Sequence, residues 1–397
     1  MSQPIVVPLS LPHARRAALS RNAVAILGIG TSTPAHAPQT FAREFAIARC
    51  CDTPRQEDFL RRVYDHSGVL ERGTVLADSA GDTPLEQQIA GFYPPRTAPD
   101  DRGPTTARRM LAYAQHAPEL ATQAATQALA SAGVAASQIT CLITVSCTGF
   151  FAPGMDAQLI QRLGLPRHVQ RMQIGFMGCH GAFNALAQAR HIALADPRDP
   201  RAPSARVLIC CTELCSLHLA YGFDPQRIVA NALFADGAAA CVVAPADADA
   251  LPDVLPLYHC LDTASLLIPD APDSMTWIIG DHGFEMTLSP NLPETIRRHL
   301  PAWIGAFLNK HGLTIADIKR FAVHPGGPRI LQAVEEALEL EHESLQASRT
   351  ILAKHGNMSS GTILFVLEEL ARTAGEGPCL AIGFGPGLMA EAMLLTS

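Results

Sequence analysis

Lysine is almost missing from this chain: Lys310, Lys319 and Lys354 are the only ones in 397 residues. With a formal net charge of −7, the chain cannot present the broad basic surface that nucleic-acid binding needs. A local arginine cluster could still meet an anionic small molecule. No apolar run reaches 18 residues, so no segment reads as a membrane span. Pro4, Pro8 and Pro12 interrupt the N-terminal apolar residues, which argues against a secretory signal. Residues 1–22, arginine-bearing and free of acid, read as a short basic arm. No cysteine pair has CxxC spacing and no histidine cluster completes a zinc site, so no metal is expected. No short-period repeat is visible, which disfavours a solenoid.

What is present is mostly apolar. The chain is 48% hydrophobic and 17% charged, enough to bury a large core. Of its eleven cysteines, Cys141, Cys147, Cys210, Cys211, Cys241 and Cys379 lie in or beside β-like apolar runs, where cysteine packs as a small hydrophobe. Free thiols suit a reducing cytoplasm.

The pattern along the chain alternates strand and helix, the mark of an α/β layered fold. A first strand reads Val24 to Gly30, and a Pro-, Gly- and Asp-rich stretch over 80–105 reads as a surface excursion. A helix over about 106–133, stopped by Gly133, precedes a strand at 139–145. Helices at 155–163 and 180–194 and strands at 205–211 and 238–243 complete a first half, 23–245. The segment 245–275 reads as a boundary or long crossover. The pattern then restarts over 246–397, with helices at 293–310, 328–340 and from Ser359, and strands at 318–323, 380–384 and 388–395.

Three residues stand out chemically. Cys179 follows Gly178 and precedes residues of helical periodicity, so its thiol should sit at a helix N-terminus, where the dipole favours thiolate and lowers the pKa; the bland reading is one more buried cysteine. His324 closes an apolar strand before Pro325-Gly326-Gly327-Pro328, and reads equally as a catalytic group or as a cap on the next helix. Asn357, in Gly356-Asn357-Met358-Ser359, would alone pass as an N-cap. Together they change the weighing. Cysteine and histidine supply a nucleophile and its activator, and an asparagine donor beside them can hold an enolate or oxyanion. Gly383-Phe384-Gly385-Pro386-Gly387 precedes no helix, fails the dinucleotide test and reads as a hairpin loop.

The stretches GCHGAFNAL around Cys179, NALFADGAAA at 231–240, HPGGPRIL at 324–331, GNMSSGTILFVLEEL at 356–370 and GFGPGL at 383–388 resemble the chalcone synthase and type III polyketide synthase family, in its bacterial form, from about residue 23 onward. The 33-residue interval from His324 to Asn357 also suits that family. The resemblance implies a thiolase-like fold of two halves in αβαβα layers. It also implies a homodimer, and condensation of malonyl-CoA onto an acyl-CoA starter with no metal or bound cofactor. Cys179 would accept the acyl group, and His324 and Asn357 would drive decarboxylation. Phe234 matches a gatekeeper between the coenzyme A tunnel and the cavity. The second gatekeeper, usually aromatic, falls on Met286. Cys147, Cys215, His218, Thr276 and Ser359 fall at cavity-wall positions, and Ala152 where plant enzymes carry a dimer-contact methionine. Arg61, Arg62 and His66 fall near the family's cluster for coenzyme A phosphates, Arg62 aligning best.

Two neighbouring activities share parts of this pattern. A ketoacyl synthase of the fatty-acid initiation type has the same Cys/His/Asn set but stops after one condensation. A thiolase proper needs a second catalytic cysteine, for which Cys379 is the only candidate, and it precedes an apolar strand rather than a CxG loop. A non-catalytic partner subunit would have no need of the intact triad.

Overall fold

The computed structural model describes residues 23–78, 82–195, 204–246, 255–269, 271–373 and 375–397, so the basic arm at 1–22 lies outside the described residues. The chain runs through β1 (Val24–Ser32), β2 (His36–Pro38), α1 (Gln39–Cys50), α2 (Pro54–Asp65), β3 (Glu71–Gly73), α3 (Leu85–Phe92) and α4 (Thr106–Ala132). Next come β4 (Cys141–Ser146), α5 (Met155–Leu163), β5 (Gln170–Gly175), α6 (Gly181–Leu194), β6 (Val207–Leu214), α7 (Pro225–Leu233) and β7 (Asp236–Pro245). The second half holds β8 (Tyr258–Leu267), β9 (Met275–Gly280), β10 (Gly283–Leu288), α8 (Leu292–Asn309), β11 (Arg320–Val323), α9 (Pro328–Leu338) and α10 (Gln346–His355). It closes with α11 (Thr362–Thr373), β12 (Pro378–Gly385) and β13 (Met389–Thr396).

Strand order is β11-β12-β13-β8-β1-β7-β6-β4-β5, and the two halves meet where Val24–Ile26 of β1 pair with Tyr258–Cys260 of β8. The central strands are apolar on both faces, as strands covered by helices must be. Period-two alternation then sorts their side chains. Val207, Ile209 and Cys211 of β6 and Cys379 and Ala381 of β12 share one core with α6 and α11. Leu208 and Cys210 face α4 and α5 on one outside, while Leu380, Ile382 and Phe384 face α8 and α9 on the other. The result is the expected αβαβα layering. Gly28 and Gly30 let α4 lie directly on β1, since a Cβ at either would come within 2.3 Å of a helix backbone nitrogen.

One expectation needs correction, and two strands went unread. The stretch 80–105 holds α3, whose Ile89 is buried with Phe45 and Tyr93. The segment 245–275, expected as a boundary or long crossover, also holds β8, the strand that joins the halves; its interleaved His259, Asp262 and Thr263 hide it from an apolar-run reading. β5 went unread for a related reason. It is an edge strand, and Gln170 to Gln173 are exposed, so no apolar pattern marks it.

Candidate active site

Gly178 has φ +73°, and a Cβ there would stand 2.3 Å from Pro386 Cδ, so only glycine makes this turn. The turn places Cys179 in a short 3₁₀ segment, Gly178–His180, that runs directly into α6. His324 follows β11, its backbone N–H extending the pairing to Ile382 O at 2.8 Å. Asn357 comes from the link between α10 and α11. Its backbone is stitched to the end of α7: Asn357 N–H donates to Leu233 O at 2.8 Å, and Ala235 N–H donates to Asn357 O at 2.9 Å.

These three residues, from three separate elements and both halves, line one cavity of about 650 Å³. Asn357 Oδ1 accepts the Ser359 N–H at 2.9 Å, and both its Oδ1 and its NH₂ stand 4.0 Å from Cys179 Sγ. The N-cap reading is therefore half right: the oxygen serves the local turn, the nitrogen faces the cavity. His324 does not cap α9. It is buried, and neither ring nitrogen has a hydrogen-bond partner.

Burial pushes the Cys179 thiol up to about 12 and the His324 imidazole down to about 3, the latter helped by the nearby His180. The lowering expected from the helix N-terminus is thus outweighed by desolvation. Each charge alone is costly here. Creating both charges together costs less than either alone, which makes His324, on the same cavity, the candidate acceptor of the thiol proton. His324→Ala should therefore slow alkylation of Cys179 by iodoacetamide at pH 7 by about tenfold or more. In that variant the rate should climb roughly tenfold per unit from pH 7 to 9, because a thiol near 12 is still titrating far above that range. An unchanged rate and a flat profile would show that His324 does not activate the thiol.

A second cavity of about 120 Å³ adjoins the first and is lined by Cys147, Cys215, His218 and Ser359. Phe234 and Met286 line both cavities and form the wall between them. His218 is fixed as a neutral wall residue. Its Nε2 donates to Thr148 O at 2.7 Å, its Nδ1 accepts the Phe284 N–H at 3.0 Å, and burial holds its pKa down to about 3. Thr276 is not on either wall. In β9 neighbouring side chains point to opposite faces, so Thr276 pairs with Thr287 while Trp277, opposite Met286, reaches the cavity and donates to Cys147 O at 2.8 Å. Of the three phosphate-cluster residues, His66 alone lines the large cavity. Arg61 is ion-paired to Glu44 at 2.5 Å, and Arg62 is exposed.

Sequence reading missed two residues. Arg329, in the first turn of α9, lines the large cavity and is exposed; its place directly after His324-Pro-Gly-Gly-Pro could have drawn attention. Glu213 is fully buried and gathers Cys147 N–H at 3.0 Å, Thr148 Oγ1 at 2.7 Å and the Ser360 hydroxyl, with burial pushing its carboxyl up. A lone acid in the apolar run of β6 was its available signal.

A buried thiol, an imidazole with both nitrogens free and an amide NH₂ on one wall can accept an acyl group and hold an oxygen anion. The family model of the chalcone and stilbene synthase N-terminal domain matches residues 11–247, and that of the C-terminal domain matches 261–397. The chain belongs to the chalcone and stilbene synthase family. It is 33% identical over 374 residues to the 1,3,6,8-tetrahydroxynaphthalene synthase of Streptomyces peucetius subsp. caesius, covering 93% of this chain and 92% of that one. It is 31% identical over 376 residues to the alpha-pyrone synthesis polyketide synthase-like Pks18 of Mycobacterium tuberculosis, covering 93% and 90%. The crystal structure of PKS-I from the brown alga Ectocarpus siliculosus superposes with a TM-score of 0.82 at 30% identity, over 94% of this chain and 98% of that one. The C-terminal type III polyketide synthase domain of Steely1 from Dictyostelium gives 0.84 at 25% identity, over 95% and 99%. The synthase is a condensing acyltransferase of the type III polyketide class, with the thiolase-like fold. Among its described residues no helix is long and apolar enough to cross a membrane.

Proposed function

We propose that the synthase loads an aliphatic acyl group of medium or long chain onto Cys179 and extends it with malonyl-CoA, then closes the chain to an alkylpyrone, alkylresorcinol, phloroglucinol-type or related ring. The Cys179 thiolate attacks the thioester carbonyl, and coenzyme A leaves with a proton. Malonyl-CoA then loses CO₂, and the electron pair left behind forms an enolate whose oxygen His324 and Asn357 hold. That carbanion attacks the acyl-cysteine, and the Cys179 thiolate is released. No cofactor beyond the coenzyme A thioesters is called for.

The observation that carries this reading is the pair of cavities meeting at Phe234 and Met286, with Cys179 on the larger one. The smaller cavity is walled by Phe41, Phe45, Leu76 and Ile89, apolar contacts suited to an alkyl chain. Methionine at 286 is flexible and leaves a softer passage than a ring would. His66 and Arg329 on the larger cavity suit the phosphates of coenzyme A, with Arg62 exposed near His66. The name of the mycobacterial relative, which speaks of alpha-pyrone synthesis, supports the pyrone among the possible rings. A homodimer fits the exposed edge strand β5, where Met172 is 39% exposed, and the exposed Ala152. Eleven unpaired cysteines suit a reducing cytoplasm.

The test is mass spectrometry of products from malonyl-CoA with hexanoyl-, lauroyl- and p-coumaroyl-CoA, with kcat/KM measured for each. The aliphatic starters should win. Extra bulk in a filled passage costs about 1–3 kcal/mol, so Met286→Phe should cut use of lauroyl-CoA by about 5- to 160-fold and spare hexanoyl-CoA. Preference for p-coumaroyl-CoA, or for malonyl-CoA alone, would defeat the starter assignment and leave the condensing chemistry standing.

A further inference from the structure

The last four carbonyls of a helix have no partner within it. In α7 they are those of Asn231, Ala232, Leu233 and Phe234, and side chains or backbone from elsewhere take all four. Arg72 Nη1 donates to Asn231 O at 2.5 Å and to Phe234 O at 2.9 Å. Gln39 Nε2 donates to Ala232 O at 2.8 Å, and Asn357 N–H takes Leu233 O. Arg72 lies in β3 opposite Ala37 of β2, and Gln39 follows that strand directly, so one small ribbon supplies both side-chain donors.

Arg72 is only 8% exposed, its guanidinium 5.5 Å from the Tyr64 ring centroid. A cation in such a place is costly unless its partners are well placed. Here the negative end of the helix dipole and two carbonyls meet Nη1, while Nε and Nη2 are buried without a hydrogen-bond partner among the described residues. Packing is close on the other side as well. A Cβ at Gly356, which has φ +72°, would meet Ala235 Cβ at 2.8 Å, Leu233 O at 3.1 Å and Arg72 Cβ at 3.4 Å. Phe234 and Asn357 are bridged as parallel strand partners at this point.

We infer that Arg72 is a positioning residue that holds the gate at Phe234 and the amide of Asn357 in one arrangement; this rests on the roles proposed above for those two residues. One nitrogen, Nη1, at the end of its rigid plane reaches carbonyls on two residues three apart. A lysine ammonium, a compact point charge on a flexible stem, does not reproduce that bracket. When the bracket goes, the 231–235 segment loosens and Asn357, whose backbone is stitched to Leu233 and Ala235, loses its aim.

The experiment compares wild type, Arg72→Met, Arg72→Lys, Asn357→Ala and the Arg72→Met/Asn357→Ala double variant. Release of CO₂ from malonyl-CoA and iodoacetamide alkylation of Cys179 are read side by side. Both single Arg72 variants should lose about tenfold or more in kcat for decarboxylation, with KM and alkylation each within about threefold of wild type. In the Asn357→Ala background the same Arg72→Met change should cost less than about twofold, because the group it positions is already gone. Equal losses in both backgrounds overturn the inference, as does a parallel fall of decarboxylation and alkylation, which marks a general loss of folded protein. Should Arg72→Met not fold, Arg72→Lys decides: decarboxylation at the wild-type rate overturns it. Absence of decarboxylation in the wild type would instead defeat the proposed function.

Discussion

Cys179→Ala should yield a folded protein that takes up no acyl group and releases no polyketide. The thiol is 5% exposed, and its side-chain hydrogen-bond partners are the Asn357 amide at 4.0 Å and the neighbouring Ser359, so removing it breaks only weak contacts. The turn that presents it is made by Gly178 and the packing of Pro386, neither of which the substitution touches. The stability loss should stay near about 1 kcal/mol, the usual size for a small truncation. Intact-protein mass spectrometry after incubation with lauroyl-CoA should show the acyl adduct on wild type and none on the variant. Cys179→Gln should behave alike for loading yet still decarboxylate malonyl-CoA, because His324 and Asn357 remain on the cavity wall. Full polyketide output from Cys179→Ala would remove the residue from the chemistry altogether.

Asn357→Ala should cost malonyl decarboxylation about 100- to 1000-fold, the usual effect of removing one donor to a developing oxyanion. The NH₂ is free for this work because Oδ1 is occupied by the Ser359 N–H and, at 3.5 Å, by the Thr362 hydroxyl. Starter loading should fall much less, since the thiol and His324 are unchanged. Release of CO₂ and formation of the acyl-enzyme, measured on the same preparation, separate the two. A drop in loading without a drop in decarboxylation would mean that the amide serves the first step and not the second.

Much of the site was legible because its residues sit in short, locally determined stretches. A glycine before a helical pattern announces the Cys179 turn, and an apolar strand ending in His-Pro-Gly-Gly-Pro announces His324. Wall residues were legible in proportion to how local their orientation is. Phe234 follows the end of α7 directly and lines both cavities. Thr276 does not, because a shift of one residue in a strand moves a side chain to the opposite face, and no local pattern marked the β9–β10 hairpin. The resemblance places Arg61 near the coenzyme A phosphate cluster, and in the structure α1 brings Glu44 into an ion pair with it.

By itself the sequence marked two βα-rich halves, most of the buried strands and the three residues proposed for the chemistry, because periodicity, turn chemistry and apolar runs are local properties of the chain. Only the tertiary structure decided that β8 joins the halves, that Glu213 lies buried against Cys147, and that Arg72 caps the helix ending at the gate. It also decided the protonation of the site: desolvation at Cys179 and His324 comes from atoms far apart in the chain, and it outweighs the helix N-terminus that the sequence could show.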